Sequence, residues 1–225
     1  DVVIVGWDDS YSKDNFNTDL EGDGAFICQN SWGDNFGENG FFYISYYDTN
    51  IGTHNVVYTD IENTDNYDHI YQSDLCGWVG QLGYNKDSIY GANVFTAEGN
   101  ETLKAASFYA TGKDSQYELY VVRQFEDETS LEKMIPVASG KLGNAGYYTV
   151  DFNQGIEVDA GERYAVVLYI ITPGSVHPMA IEYAADEATE NVDLDDGESY
   201  ISANGSKWVS VDLSLIHISE PTRPY

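Results

Sequence analysis

Two cysteines, a few histidines and a wide scatter of carboxylates are the side chains of this sequence with chemistry to offer. A thiolate beside an imidazolium attacks acyl carbon, and carboxylates gathered on a loop hold calcium. Spacing weighs against both uses as the residues stand. Cys28 and Cys76 cannot build a disulfide framework, and His69 and His177 are isolated from Cys or Asp at metal-ligand spacing. The run Asp19-Leu20-Glu21-Gly22-Asp23-Gly24 opens like a calcium loop, yet its twelfth position, which needs a bidentate Glu, is Asn30. Asp193, Asp195 and Asp196 read as a solvated run, so no metal and no cofactor is expected. What remains is Gln29-Asn30-Ser31-Trp32-Gly33, followed by Phe36-Gly37-Glu38-Asn39-Gly40-Phe41 and preceded, one loop earlier, by Val2-Val3-Ile4-Val5-Gly6-Trp7-Asp8. By residue type alone, Asn30 is a turn residue closing a strand and Trp32 a core anchor under a glycine-rich loop.

The elements that hold these residues are strands. Residues 1–7 form an apolar run that predicts a buried strand. Residues 8–24 are polar, with Asn, Asp and Gly, and predict a long loop. Residues 25–30 and 40–46 are short β-prone runs on either side of a Gly-punctuated turn, and residues 55–58 predict one strand more. Residues 60–68 break the pattern and mark a domain boundary. Beyond it, strands are expected over 91–96, 102–109, 117–123, 146–152, 164–171, 179–183 and 199–202. Turns are expected at Gly99-Asn100, Gly112-Lys113, Gly143-Asn144 and Ala160-Gly161. With no helical apolar stripe in competition, this spacing predicts an antiparallel sandwich.

On the two-part motif around Asn30, the chain resembles the papain-like cysteine peptidases. In that family a strand of the form H-A-V-x-x-V-G-Y carries the catalytic histidine. A later N-S-W-G-x-x-W-G-E-x-G-Y segment carries the asparagine that orients it. The resemblance makes Asn30 the orienter and lays Trp32 over the Asn–His hydrogen bond to exclude water, while Gly33, Gly37 and Gly40 supply backbone geometry that a Cβ would obstruct. Phe36 replaces the family's second tryptophan. The matching histidine would fall immediately before Asp1, and the nucleophile further upstream, so this chain by itself is expected to be inactive. Cys28 is not that nucleophile: it sits where the family has an apolar residue and acts as a small hydrophobe. His54 falls in the stretch that forms part of the family's substrate-pocket wall, with a surface role.

The 38 Asp and Glu against 10 Lys and Arg give a formal charge of −28, spread over both halves of the chain. Such a surface repels phosphates and anionic membranes, which excludes nucleic acid as a partner, and no run of eighteen apolar residues is present to cross a bilayer. The aromatic content excludes a disordered chain. From residue 67 on, Ala92-Asn93-Val94-Phe95, Glu101-Thr102-Leu103-Lys104-Ala105, Ala145-Gly146-Tyr147-Tyr148-Thr149-Val150, Ala160-Gly161-Glu162 and the stretch from Gly197 to Trp208 resemble the lectin-like β-sandwich that follows the peptidase domain in some bacterial cell-surface proteases. A sugar site would need an exposed aromatic platform. Trp78, Tyr84, Tyr90, Tyr147, Tyr148, Tyr200 and Trp208 are candidates, each expected to pack in the core.

The expected fold is therefore mainly β: the β-rich C-terminal half of a papain-like α+β domain over residues 1–62, then a lectin-like antiparallel β-sandwich over 63–212. Residues 213–225 abandon the acidic, Tyr-rich style and resemble translated sequencing adapter, with no function expected. The resemblance implies a secreted or surface cysteine endopeptidase that hydrolyses peptide bonds of protein substrates by a Cys-His-Asn mechanism. The alternative is a non-catalytic surface adhesion protein that binds glycans or proteins through the sandwich.

Overall fold

In the computed structural model, residues 2–53, 55–72, 77–184, 189 and 199–211 are described. His54, Cys76, the acidic run with Asp193, Asp195 and Asp196, and residues 213–225 lie outside them. The chain divides into two compact units, Asp1–Asn63 and Thr64–Tyr225. No helix among the described residues is long and apolar enough to cross a membrane.

The first unit is a three-stranded antiparallel sheet in the order β1-β2-β3, with β1 at Val3–Asp8, β2 at Ala25–Gln29 and β3 at Phe41–Ser45. The polar loop between β1 and β2 is tied down: the Gly24 N–H donates to the Tyr11 carbonyl, the Lys13 N–H to Asp23, and Tyr11 stacks on Tyr43. Ala25 and Cys28 are fully buried. The strand expected to be buried is instead the exposed edge, with Val3 and Val5 half or more open to solvent. It pairs with β2 on one side only, and no second layer within this unit covers its faces. The strand expected over residues 55–58 does not form; Val56, Val57 and Tyr58 are exposed and no strand lies beside them. Three β-prone residues do not hold a strand without a ladder partner.

The second unit is a sandwich. Its strands are β4 (Gly80–Leu82), β5 (Ser88–Thr96), β6 (Glu101–Ala110), β7 (Ser115–Val122), β8 (Ile135–Leu142), β9 (Gly146–Val158), β10 (Arg163–Ile171), β11 (Met179–Ile181), β12 (Ser199–Ser202) and β13 (Val209–Ser210). One sheet runs β13-β12-β5-β10-β7-β8 and the other β4-β11-β6-β9, every pairing antiparallel. Ile89, Leu119, Val121 and Ile170 from the first sheet meet Leu82, Phe108 and Phe152 from the second in one core. The six-stranded sheet is covered on its other face too, where Ala92, Val94, Val122, Ala165 and Val167 pack under Phe125 and Leu131. Burial on both faces is why β10 reads as an unbroken apolar run, whereas β6 alternates because one of its faces meets water.

The β9–β10 turn is clamped by one ion pair. Arg123 donates from Nε to Glu162 Oε1 at 2.9 Å and from a terminal nitrogen to Oε2 at 2.5 Å, while the Gln124 and Asp159 N–H groups donate to the same carboxylate. The Glu162 side chain is 6% exposed, and the Arg123 guanidinium foremost holds its carboxyl down to about 2. A depressed carboxylate stabilises the fold fully above its ordinary value near 4.5 and loses that contribution as pH falls through about 2. Glu162→Gln is therefore expected to lower stability at neutral pH by about 3 kcal/mol, read by urea denaturation. Its melting temperature should then fall less than that of the parent chain on acidification; equal acid sensitivity of the two would refute the clamp.

Candidate functional site

The loop after β2 carries Asn30 and Trp32 together. The Asn30 N–H donates to the Gly40 carbonyl at 3.1 Å, which fastens the loop's two ends where β2 and β3 diverge. The Asn30 Oδ1 accepts the Trp32 N–H at 3.2 Å, an Asx turn that fixes the amide's direction. Glu38 and Phe41 exchange both backbone bonds and close the hairpin. The glycines act by two different means. Gly37 has φ +59°, and a Cβ there would lie 2.1 Å from the Phe41 carbonyl oxygen, so nothing larger fits. At Gly33, φ +81°, there is open space, and only the sign of φ excludes a side chain.

The aromatics of this loop form a chain of edge contacts. Trp32 meets Phe36 edge-on with centroids 5.1 Å apart, and Phe36 meets Phe42 the same way at 5.5 Å. Trp32 is nevertheless 72% exposed, so it is no core anchor. Cys28 is the opposite case: it has no exposed surface, and burial pushes its thiol up from the ordinary value. A raised thiol carries little thiolate at neutral pH, which disqualifies it as a nucleophile.

His69 is held by structural partners. His69 Nδ1 lies 2.7 Å from Glu101 Oε1, and the Tyr71 hydroxyl donates to Glu101 Oε2 at 2.8 Å. Tyr71 first and His69 with it hold the Glu101 carboxyl below its ordinary value. The role is mechanical: the strap at residues 69–71 is pinned to the turn between β5 and β6. His177 is partly buried. Among the described residues no group of three His, Cys, Asp or Glu side chains could hold a metal, and Asp23 is engaged by the Lys13 N–H.

The sandwich aromatics divide by strand parity. Tyr90, Tyr148, Tyr200 and Trp208 pack against the hydrophobic clusters as expected. Tyr147 does not: it is 57% exposed, with Trp78 and Tyr84 also open. The sequence signal that separates the neighbours Tyr147 and Tyr148 is the two-residue alternation along β9, and it becomes readable only once the register with β6 is known.

Residues 70–219 match the family described as a lectin like domain, and residues 1–61 match the papain family cysteine proteases. Among solved structures, a clostridial cysteine protease, Cwp84, after propeptide cleavage superposes with a TM-score of 0.77 at 28% identity, covering 94% of this chain and 53% of that one. A structure of the cysteine protease and lectin-like domains of Cwp84, a surface layer associated protein of Clostridium difficile, gives a TM-score of 0.75 at 28% identity, covering 94% of this chain and 48% of that one. The chain thus spans about half the length of the structures it matches. No curated protein sequence matches it. In the folded chain, Cys28 should resist a thiol-alkylating reagent at about pH 8 and react once urea is added, as read by mass spectrometry of its peptide. Rapid labelling under native conditions would overturn its placement in the core.

Proposed function

We propose, for a chain that belongs to the lectin-like domain family and carries papain-type sequence ahead of that domain, that the whole protein is a bacterial cell-surface cysteine endopeptidase. In this reading residues 1–62 are the C-terminal part of the catalytic domain, 63–212 the lectin-like sandwich, and 213–225 have no function. The observation that carries it is the β1–β2 register. Val3 pairs with Gln29 and Ile4 with Cys28, so one further step of the same ladder sets position 2 against Asn30. A histidine just ahead of Asp1 would then come within reach of the Asn30 amide, which its Asx turn already holds in one direction.

The chemistry follows from that arrangement. An upstream cysteine thiolate adds to the scissile carbonyl carbon, the C–N bond breaks, and the imidazolium gives its proton to the departing amine. Water then attacks the thioester while the imidazole takes up its proton, the C–S bond breaks, and the acid is released with the thiolate–imidazolium pair restored. Asn30 accepts the imidazole N–H throughout and so orients the ring without adding a second negative charge near the thiolate. Trp32 stands beside it as a shield against water. The adhesion alternative draws support from the exposed aromatics of the sandwich, which are compatible with a ligand in either case.

Extending the gene upstream and assaying hydrolysis of a protein substrate tests the reading. The 225-residue chain should be inactive, the extended protein active and blocked by thiol alkylation. In the extended protein, Asn30→Ala should lower kcat by about 10- to 100-fold with KM little changed. Alkylation-sensitive hydrolysis by the 225-residue chain alone, or an extended protein with no histidine ahead of Asp1, would refute it.

A further inference from the structure

The outer face of the four-stranded sheet carries surface that the core of the sandwich does not use. Along β6, Phe108 and Ala110 point into the sandwich, so Ser107 and Tyr109 face the other way; along β9, Phe152 and Tyr148 point in, and Tyr147 and Thr149 face out. Tyr109 lies directly across from Tyr147, with ring centroids 4.8 Å apart, and Trp78 continues the row 6.2 Å beyond Tyr109. The next outward pair is Ser107 and Thr149, whose hydroxyls are 2.9 Å apart, and after it Ala105 opposite Asp151. Two-residue steps along a strand put these rows about 7 Å apart. Asp65, Asn66 and Tyr67 line a groove together with Ser107, Tyr109, Tyr147 and Thr149, and the Tyr67 hydroxyl donates to Asp151 at 3.4 Å.

We propose that this groove binds an oligosaccharide that carries no acidic groups, with the Tyr109–Tyr147 row as its apolar platform and the Ser107, Thr149 and Asp151 oxygens meeting its hydroxyls. A sugar ring has an apolar C–H face and a rim of hydroxyls, and it needs both surfaces side by side. The groove supplies them in adjacent rows. The Ser107 and Thr149 hydroxyls each retain hydrogen-bonding capacity after bonding one another, since a hydroxyl donates once and accepts twice. The wall and floor carboxylates, together with a net charge of −28, oppose a uronate or phosphate and favour neutral or amine-bearing sugars. The stacked pair on the other sheet, Tyr90 and Tyr169, is a poorer platform because the rings lie 4.2 Å apart and cover each other's faces. The proposal deepens the ligand-binding part of the function proposed above and is independent of its peptidase part.

The test uses the full chain and immobilised cello-, manno- and chito-oligosaccharides, with oligogalacturonate as the acidic probe. At least one neutral probe should bind, and oligogalacturonate should not. Tyr147→Ala should weaken that binding about tenfold or more. Tyr147→Trp should retain it, Ser107→Ala combined with Thr149→Val should weaken it, and Tyr84→Ala, outside the groove, should leave it unchanged. Unaltered circular dichroism of each variant shows that the fold is kept. No binding of any neutral probe at about 1 mM, equal binding of oligogalacturonate, or full binding by Tyr147→Ala would each overturn the assignment. Hydrolysis by the upstream-extended protein should be the same with Tyr147→Ala as without it, so failure here leaves the peptidase reading standing.

Discussion

The strand from Arg163 to Ile171 has to be covered on both faces, and the sandwich is arranged around that requirement. Eight of its nine residues, Tyr164 to Ile171, carry apolar or aromatic side chains in unbroken sequence, and Ala165, Val167 and Ile170 reach complete burial. No polar group interrupts it, so only a central position satisfies it: β5 and β7 take its two edges, the four-stranded sheet takes one face and the Phe125–Leu131 segment the other. The cover on that second face is itself fixed by the capped turn Glu128–Glu132, where Asp127 and Ser130 satisfy each other's backbone. A charged substitution in this strand has nowhere to go.

Acidity sets the second constraint. With few bases available, a chain this anionic cannot neutralise itself pair by pair, and most carboxylates stay on the surface, where mutual repulsion is screened by solvent. Glu162, a nearly buried carboxylate with an ionic partner, holds four hydrogen bonds, two of them from the planar guanidinium of Arg123. Lysine in that place would give a single-point contact, since the forked geometry is what lets one side chain serve both oxygens. Elsewhere the protein meets its carboxylates with neutral donors: Glu101 with Tyr71, Asp9 with Tyr46, Asp127 with Thr129. The abundance of tyrosine is thus part of the electrostatic solution as well as of the core.

Most strands of the sandwich were legible because alternating or continuous apolar runs lie between Gly-Asn or Ala-Gly turns. The misses have physical causes. Residues 135–142, which contain Pro136 and Gly140, are not among the expected strands, yet they form β8, an edge strand. There a residue without an N–H is tolerated, and Pro136 stands at a register shift opposite Tyr120. Gly80–Leu82, where no strand is expected, pairs with Met179–Ile181 inside the strand expected over 179–183, and its own three residues are too brief for any periodicity. The apolar run over residues 1–7 predicts burial, and a hydrophobic run does not reveal whether a partner layer is present. For the candidate site, the spacing of Asn30, Trp32 and the three glycines could be read directly. The Asx turn and the exposure of Trp32 could not, because each depends on where the backbone turns after β2.

That turn bears on how an amide orients a ring. The Asn30 oxygen already accepts one N–H from within its own loop, and an amide carbonyl has a second lone pair. The local bond fixes the plane of the side chain and therefore the direction in which the remaining acceptor points. An aspartate could adopt the same turn, but in the peptidase proposed above its full charge would stabilise an imidazolium more strongly and compete with a thiolate for it. A serine would be too short to close the turn and accept a ring N–H in the same orientation. The neutral side chain is thus suited to hold a ring without trapping its proton. The turn beside it, with Gly37 against the Phe41 carbonyl and the Asn30 N–H on the Gly40 carbonyl, keeps the amide from swinging away.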